Sequence, residues 1–270
     1  MQNSEGRERE AGRNHSTPAF TSMADLSSAR VGGRAIATND DFFAPMANLV
    51  RAEPAVFIPG KFTARGKWMD GWESRRRRTP GHDWCVVKLG MRGRIRGVDV
   101  DTSYFTGNFP SHCSIEALDT TRAVTKQVAA VERGPWSLVL PRTPLRGDSH
   151  NYLEIERTPE LADRAWTHVR LNIYPDGGVA RLRVHGDVVV DWTRIVRSRK
   201  VMDLAEIRNG GLVIAASDMH FGAKDNMIMP GRAKNMGDGW ETRRRRGPGH
   251  DWAIVRLGAA GVISRVEIDT

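Results

Sequence analysis

Two short stretches of the chain carry the same cluster of side chains that can transfer protons or bind anions. Stretches 70–84 and 238–252 share one order of residue types: a glutamate, four consecutive arginines, a histidine and an aspartate. Carboxyl and imidazole groups act as acids and bases when burial brings their pKa toward neutrality, and a guanidinium binds a carboxylate through two hydrogen bonds. The pattern therefore predicts acid–base chemistry on an anionic substrate. The proton-transfer candidates are Glu73, His82 and Asp83, and in the second stretch Glu241, His250 and Asp251.

The four arginines of each run cannot all serve one pocket. In an extended chain successive side chains point to opposite sides, so only two of the four face the same way. The other two are then expected in ion pairs or interfaces, and an ion-paired or solvated edge is the alternative for every arginine of the run. The substrate-binding candidates are Arg75 and Arg77, and their counterparts Arg243 and Arg245.

His82 and Asp83 also have structural interpretations. The Pro-Gly-His-Asp sequence that contains them is typical of a turn, which an aspartate side chain can cap. The imidazole of His82 can equally serve a structural hydrogen bond. Trp72 and Trp84 are interpreted as packing residues, because large aromatic side chains dominate the cores of sandwich folds.

Asp101 and its counterpart Asp269 are further binding candidates. Alternation along the predicted strand places Asp99 and Asp101 on one face. Asp101 is followed by 103–110, a loop rich in Gly, Asn and Pro of the kind that carries functional groups at the end of a sandwich. A cap on the turn after the strand is the alternative role for Asp101.

The repeat extends beyond these stretches and indicates two modules of one ancestry. Residues 70–102 and 238–270 align without a gap, and 21 of 33 positions are identical. The second module stops at the counterpart of Thr102, without the later strands that would cover its apolar face, so we expect the sequence to be a piece of a longer chain. The expected organisation is a disordered leader over 1–35, a first module over 36–190, a connector over 191–211 and a partial second module over 212–270.

Strand-like alternation dominates the rest of the sequence. Over 166–174 the residues Val169, Leu171 and Ile173 fall on one face and polar residues on the other, which predicts a half-buried strand. Several such segments, separated by Gly and Pro clusters, favour an all-β antiparallel sandwich of the jelly-roll type. Short helices are expected only near 44–51 and 201–208.

Composition bounds the class of protein. The net charge is +9, largely from arginine, and the charged fraction of 27% is ordinary. Two cysteines do not form a disulfide framework, and no apolar run is long enough for a membrane helix or a signal core. We therefore expect a soluble cytoplasmic protein without membrane association. Nucleotide-binding and paired-cysteine zinc motifs are absent, and His112 with Cys113 is too small a ligand set, so no cofactor and no metal are expected.

These motifs resemble the allantoicase family, whose chains look like two tandem copies of one galactose-binding-like jelly-roll module. The resemblance rests on Lys-Trp-Met-Asp-Gly-Trp-Glu at 67–73, the arginine run, Pro-Gly-His-Asp-Trp at 80–84 and Phe-Thr-Gly-Asn-Phe-Pro at 105–110. The second copy carries Met-Gly-Asp-Gly-Trp-Glu-Thr at 236–242 and Pro-Gly-His-Asp-Trp at 248–252. The resemblance implies hydrolysis of allantoate to ureidoglycolate and urea in purine breakdown.

For this reaction we assign an arginine of the run to the substrate carboxylate, Glu73 or Asp83 as the base and His82 as the acid, with equivalents in module two. A non-catalytic jelly roll that binds a small ligand is the alternative, although the clustered acid and base groups disfavour it. Nucleic-acid binding ranks last, because the arginines lie in one short segment per module among acidic residues. An unclosed sheet also favours a homo-oligomer.

Overall fold

The computed structural model describes residues 17–121, 131–198 and 201–270. In the described residues the α-helix α1 spans Trp192–Ser198, and 3-10 helices span Ala19–Ser22, Ala29–Val31, Met46–Val50, Ile207–Asn209, Lys224–Ile228 and Met236–Asp238. The strands are β1 (Ala24–Asp25), β2 (Arg34–Thr38), β3 (Phe62–Thr63), β4 (Gly66–Lys67), β5 (Trp72–Glu73), β6 (Asp83–Asp101), β7 (His112–Leu118), β8 (Ser137–Pro144), β9 (His150–Glu154), β10 (Trp166–Tyr174), β11 (Gly178–Val179), β12 (Arg181–Val188), β13 (Leu212–Ala216) and β14 (Ala253–Arg256).

The long strand β6 belongs to both layers of a sandwich. Its first half pairs with β2 on one side and β10 on the other, and β10 continues through β7 to β8. Its second half pairs with β9 and β12, and β12 continues to β1. All these pairings are antiparallel. The prediction of an all-β antiparallel fold is confirmed, while the finer jelly-roll connectivity stays a prediction.

Alternation along the strands explains where the core lies. Val169, Leu171 and Ile173 of β10 are fully buried and pack with Cys85 and Val98 from the two halves of β6. A strand exposes successive side chains to opposite faces, so the apolar set of each layer meets in one interior. Both Cys85 and Cys113 are free thiols in this interior.

The predicted solvent-facing side of β10 is also covered. His168 and Arg170 are buried, and the Arg170 guanidinium lies 5.0 Å from the ring of Trp136, while its Nη1 donates to the carbonyl of Val131. The expectation of a half-buried strand is therefore wrong here, because residues near 131–136 pack over the outer face. A carboxylate on β7, Glu116, neutralises Arg170 at 2.6 Å.

The expectation of a disordered leader up to residue 35 is wrong for its described part. Phe20 is buried, Leu26 is completely buried, and β1 pairs with β12 at the edge of a layer. The rings of Phe20 and Tyr152 meet edge to face at 6.4 Å. This segment is ordered because it covers apolar surface that β12 and β9 would otherwise expose. Residues 1–16 lie outside the described residues.

The described part of the second module contributes one antiparallel pair of strands, and some of its apolar side chains pack in the core of the first module. β13 pairs with β14, and Val213 and Ile228 join the same apolar cluster as the first module. Arg30, in the ordered segment before the first module, donates a 2.6 Å hydrogen bond to the side chain of Asn226. At the two positions where helices were predicted, 44–51 and 201–208, the structure has only short 3-10 helices, Met46–Val50 and Ile207–Asn209. The α-helix α1 lies before the second of these positions. The module boundaries proposed from the sequence stay predictions.

Candidate functional site

The repeated stretch makes the same structural contacts in both modules. The indole Nε1 of Trp72 donates to the carbonyl of Asp40 at 2.8 Å, and that of Trp240 donates to the carbonyl of Asp218 at 2.7 Å. These aspartates also accept hydrogen bonds from the backbone N–H groups of the first arginine in each run. The repeated polar residues therefore fasten an extended segment that has few sheet partners of its own.

An arginine–aspartate pair closes each repeated stretch. Nη1 of Arg77 lies 2.7 Å from Oδ1 of Asp83, and Nη2 of Arg245 lies 2.9 Å from Oδ1 of Asp251. Asp83 is only 2% exposed and also accepts from the side chain of Asn39. Both contacts fall on Oδ1 of a carboxylate that is almost fully buried, so the structure gives Asp83 a structural position.

The other predicted substrate-binding arginine is paired as well. Nε of Arg75 lies 2.7 Å from Oδ2 of Asp40, and this contact helps to lower the pKa of Asp40 against the effect of its partial burial. Arg243 lies 3.8 Å from Asp218 in the second module. The ion-paired alternative therefore describes Arg75, Arg77, Arg243 and Arg245 better than the binding of a substrate carboxylate does, because an aspartate already faces each guanidinium.

Glu73 is the repeated residue that faces open space. Its backbone is held on both sides, by a bridge to Ala44 and by pairing with Gly178 in β11. Its side chain lines a cavity of about 380 Å³ at one end of the sandwich. The lining residues are Phe43, Gly66, Lys67, Met69, Glu73, Tyr104, Thr106, Gly107 and Asn108.

The loop after β6 brings Asn108 to this carboxylate. Nδ2 of Asn108 donates to Oε1 of Glu73 at 2.6 Å, and the carbonyl of Asn108 accepts from the N–H of Gly178 at 2.8 Å. A Cβ on Gly178 would lie 1.9 Å from the ring of Phe105, so only glycine allows this approach. Hydrogen bonds therefore hold both the side chain and the backbone carbonyl of Asn108.

Burial raises the pKa of Glu73 above its ordinary value. The hydrogen bond from Asn108 and the positive charge of Lys67 act in the opposite direction without cancelling the effect of burial. A carboxyl group with a raised pKa is closer to the range in which it can both take up and release a proton at neutral pH. Glu73 therefore has the electrostatic setting of a general base or acid.

Aromatic side chains shape the rim of the cavity. Tyr104 stacks on Phe57 with 5.8 Å between the ring centroids, and Nζ of Lys67 lies 4.5 Å from the Phe57 ring. Tyr104 has a φ of 68°, which is strained for a side chain of this size. Its N–H donates to Oδ1 of Asp148 at 2.8 Å, and this contact holds the strained turn in place.

His82 lies elsewhere. Its ring contacts Tyr174 at 4.8 Å, and the cavity around Glu73 does not include it. Burial lowers the pKa of His82, and the nearby guanidinium of Arg170 acts in the same direction, partly offset by Asn172. The structure therefore does not bring together the predicted pair of Glu73 as base and His82 as acid.

Asp101 takes the alternative role that its position at the end of a strand suggested. Its Oδ1 accepts from the backbone N–H of Ser103 at 2.8 Å and caps the turn, and its side chain is buried. Its counterpart Asp269 is exposed and lies 3.9 Å from Arg232. Neither residue lines the cavity around Glu73.

The second module presents its candidates differently. Glu241 forms the equivalent backbone bridge, to Gly222, but both Glu241 and His250 are exposed. The 270 residues contain no counterpart of the loop that carries Asn108, because that loop follows Thr102 and its counterpart is Thr270.

The partners of Glu73 were not predicted from the sequence. Lys67 stands six positions before it within the family motif, and Asn108 lies in the loop noted for its Gly and Asn content. The signal for Asn108 was its place directly after a strand end, where loops gather at the end of a sandwich.

In the described part of the chain no group of three or more His, Cys, Asp or Glu is arranged to hold a metal ion. Nor does any helix there have the length and hydropathy needed to cross a membrane.

Comparisons with known proteins agree with one another. The family model described as the allantoicase repeat matches residues 24–189 and 202–270. A relative named "Probable allantoicase 1" from Burkholderia mallei is 54% identical over 254 residues, which cover 94% of this chain and 72% of the relative. "Probable allantoicase" from Acinetobacter baylyi is 45% identical over 249 residues, covering 92% and 70%. The crystal structure of allantoicase from Saccharomyces cerevisiae matches with a TM-score of 0.74 at 31% identity, covering 96% of this chain and 74% of that one.

Proposed function

The chain belongs to the allantoicase family, and from that premise we propose that the cavity around Glu73 is where it hydrolyses allantoate. As an allantoicase the protein is a hydrolase of a carbon–nitrogen bond in a linear amidine, acting on a small molecule. The products are ureidoglycolate and urea. The observation that carries the proposal is the half-buried carboxyl group of Glu73, whose pKa is raised, in a cavity of about 380 Å³. The ammonium group of Lys67 and the side-chain amide of Asn108 line the same cavity.

The cavity offers a partner for each part of the substrate. Allantoate carries one carboxylate and two ureido groups on a single carbon. Lys67 supplies the positive charge for the carboxylate, in the place that the sequence analysis gave to an arginine. Asn108 and the hydroxyl group of Thr106 supply hydrogen bonds for the ureido groups. Positioning by several such contacts is what lowers the entropic cost of bringing water and substrate together.

Glu73 carries the proton in the proposed step. Its carboxylate takes a proton from a water molecule while the water oxygen forms a bond to the central carbon. The bond from that carbon to one ureido nitrogen breaks, and the nitrogen receives a proton as urea leaves. Glu73, protonated by the water in the first part of the step, delivers that proton to the leaving nitrogen, and the raised pKa favours its holding the proton in between. One carboxyl group therefore covers both roles that the sequence analysis divided between Glu73 and His82.

The remaining expectations are proposals of the same kind. We assign the reaction to the first module, with the second module as a partial copy that supports it through Arg30 and the shared core. We place the protein in the cytoplasm, since both cysteines are free thiols. We also propose a homo-oligomer, because Val262, Val266 and Ile268 of module two are exposed. Light scattering of the purified chain measures its mass in solution.

Release of urea from allantoate by the purified 270-residue chain tests the proposed function. Turnover above the buffer blank is the expected result. Binding of allantoate without any release of urea would favour the alternative, a jelly roll that binds a small ligand and does no chemistry. Equilibrium dialysis with labelled allantoate, performed on the same preparation, separates these two results.

A further inference from the structure

The two modules differ in length directly before the repeated stretch, on one side of the cavity around Glu73. Residues 44–71 of module one are ten residues longer than their counterpart, 222–239. In module one this part of the chain contains the antiparallel pair of β3 and β4, and β4 ends at Lys67. The counterpart of Lys67 is Asn235, so the cation of the cavity belongs to module one alone.

The ammonium group of Lys67 lies against an aromatic ring. Its Nζ is 4.5 Å from the centroid of the Phe57 ring, a distance at which a cation is attracted to the face of the ring. Lys67 lines the cavity around Glu73, whereas Phe57 does not. In the described part of the chain no carboxylate forms a salt bridge with Lys67, and the charge of Lys67 acts on Glu73 from a longer distance. Because a lysine side chain is flexible, the Phe57 ring is the contact that restricts where this ammonium group lies.

Tyr104 holds the Phe57 ring from a neighbouring loop. The two rings stack with 5.8 Å between their centroids and 24° between their planes. Tyr104 is the third residue of a turn in which the N–H of Phe105 donates to the carbonyl of Thr102 at 2.9 Å. A positive φ at this position of a turn favours glycine or asparagine, so a tyrosine with a φ of 68° is costly there. The turn therefore sets where the Tyr104 ring lies, and that ring in turn supports Phe57.

The backbone before Phe57 is anchored in the core. The N–H of Val56 donates to Oδ2 of Asp70 at 3.1 Å. Asp70 is buried, and the same oxygen lies 2.7 Å from Nη2 of Arg181, which is also buried. Phe57 itself is 37% exposed and belongs to none of the core clusters of the described residues. Burial in the core therefore does not explain where its ring lies, and the contacts with its two neighbours do.

We propose that Phe57 is a positioning residue, whose ring holds the ammonium group of Lys67 where it faces both the substrate carboxylate and Glu73. The part that concerns the substrate rests on the proposed function, whereas the contact with Lys67 exists in the free protein. An ammonium group that is already held loses less side-chain freedom when a carboxylate binds. The held charge also lowers the pKa of Glu73, against the effect of burial.

The titration of Glu73 in the substrate-free protein tests the contact with Lys67. Among the residues that line the cavity, Lys67 and Glu73 are the charged ones at neutral pH. Carbon-13 NMR of the full chain, labelled at the glutamate carboxyl carbons, follows Glu73, whose signal is absent from Glu73→Gln. We expect Phe57→Leu to raise the pKa of Glu73, because Lys67 is then free to move away. Lys67→Met raises it too, and Phe57→Leu adds no further rise in the Lys67→Met background, because both act through one charge.

Steady-state kinetics with allantoate tests what this contact does for the substrate. Phe57→Leu raises KM about twofold to fivefold, as the loss of a cation–π contact at the surface implies, and leaves kcat unchanged at a pH where Glu73 is deprotonated. Phe57→Tyr keeps the ring and restores the KM of the parent. Phe62→Leu is the matched control, because it makes the same change in the same segment on a ring that is 70% exposed and does not line the cavity. It keeps the KM of the parent and the pKa of Glu73.

The two measurements separate this inference from the proposed function. A raised pKa of Glu73 in Phe57→Leu, in a protein whose parent releases no urea, supports the contact with Lys67 and contradicts the assigned reaction. An unchanged pKa of Glu73 in Phe57→Leu overturns the inference, and so does an equal rise in Phe62→Leu or a further rise in the Lys67→Met background. Phe57→Met, which also lacks the ring, gives the same test if Phe57→Leu does not fold.

Discussion

The side-chain amide of Asn108 donates a 2.6 Å hydrogen bond to Oε1 of Glu73. This contact joins the loop after β6 to the repeated stretch, across 35 positions of sequence. The contact is made to Oε1, and Oε2 accepts no hydrogen bond from the residues that the structure describes. The carboxyl group is therefore oriented before any substrate binds.

Asn108→Ala is expected to shift the pH dependence of turnover. The hydrogen bond from Asn108 lowers the pKa of Glu73, so its loss raises that pKa further. A base works only when it is deprotonated, and kcat/KM on the acidic side falls with protonation of the free enzyme. The acidic limb of the kcat/KM profile should therefore move to higher pH. Asn235→Ala, in the second module, should leave the limb in place, and an unmoved limb in Asn108→Ala would contradict the role of Glu73.

Lys67→Met is expected to weaken substrate binding. If Lys67 neutralises the substrate carboxylate, its loss removes a charged hydrogen bond and raises KM roughly tenfold to a hundredfold. Lys67→Arg keeps the charge and should recover most of the affinity. Lys61→Met is the matched control, because Lys61 stacks over Trp68 and does not line the cavity. Equal KM values for Lys67→Met and Lys61→Met would place the carboxylate elsewhere.

Arg77→Ala is expected to lower stability. The substitution leaves Asp83 buried without its cationic partner, which costs about 3 kcal/mol when one half of a buried pair is removed. Arg76→Ala removes an exposed guanidinium next to it and should change stability by no more than about 0.5 kcal/mol. Thermal unfolding of both variants measures the difference. A melting temperature equal to that of Arg76→Ala would show that the pair is not structural.

Asp148→Gly is expected to reduce turnover without unfolding the protein. Asp148 has a φ of 46°, which glycine adopts without strain, so the change removes mainly the acceptor for the N–H of Tyr104. The loop that carries Asn108 then loses an anchor, and a small displacement of a positioning group lowers kcat about tenfold. Asp148→Asn keeps both an acceptor and tolerance of this backbone, and should retain activity. Similar kcat values for all three proteins would contradict this role.

The interior of the fold could be predicted because alternation is a local property. Val169, Leu171 and Ile173 follow from the two-residue period of a strand, and they line the core as expected. The burial of His168 and Arg170 on the opposite face could not be predicted in this way. It depends on a segment about 35 positions earlier in the sequence, and no pattern within β10 indicates that cover.

Glu73 and the family could be predicted from the sequence. The other residues that line the cavity could not. The duplication singled out polar residues, and some of them form the same hydrogen bonds in both modules, as Arg77 with Asp83 and Arg245 with Asp251 show. Duplication alone does not distinguish a structural ion pair from a catalytic group. Glu73 is distinguished from the other repeated residues only by the burial of its side chain and by its contacts in the folded structure.

The rate of urea release by Glu73→Gln, compared with Glu156→Gln, tests the central claim most directly. Both variants replace a carboxylate by an amide of the same size, but Glu156 is exposed and outside the cavity. We predict that Glu73→Gln lowers kcat at least about a hundredfold, the usual contribution of general acid–base catalysis, while Glu156→Gln matches the parent. Equal turnover by the two variants, both correctly folded, would contradict the assignment of the reaction to this cavity.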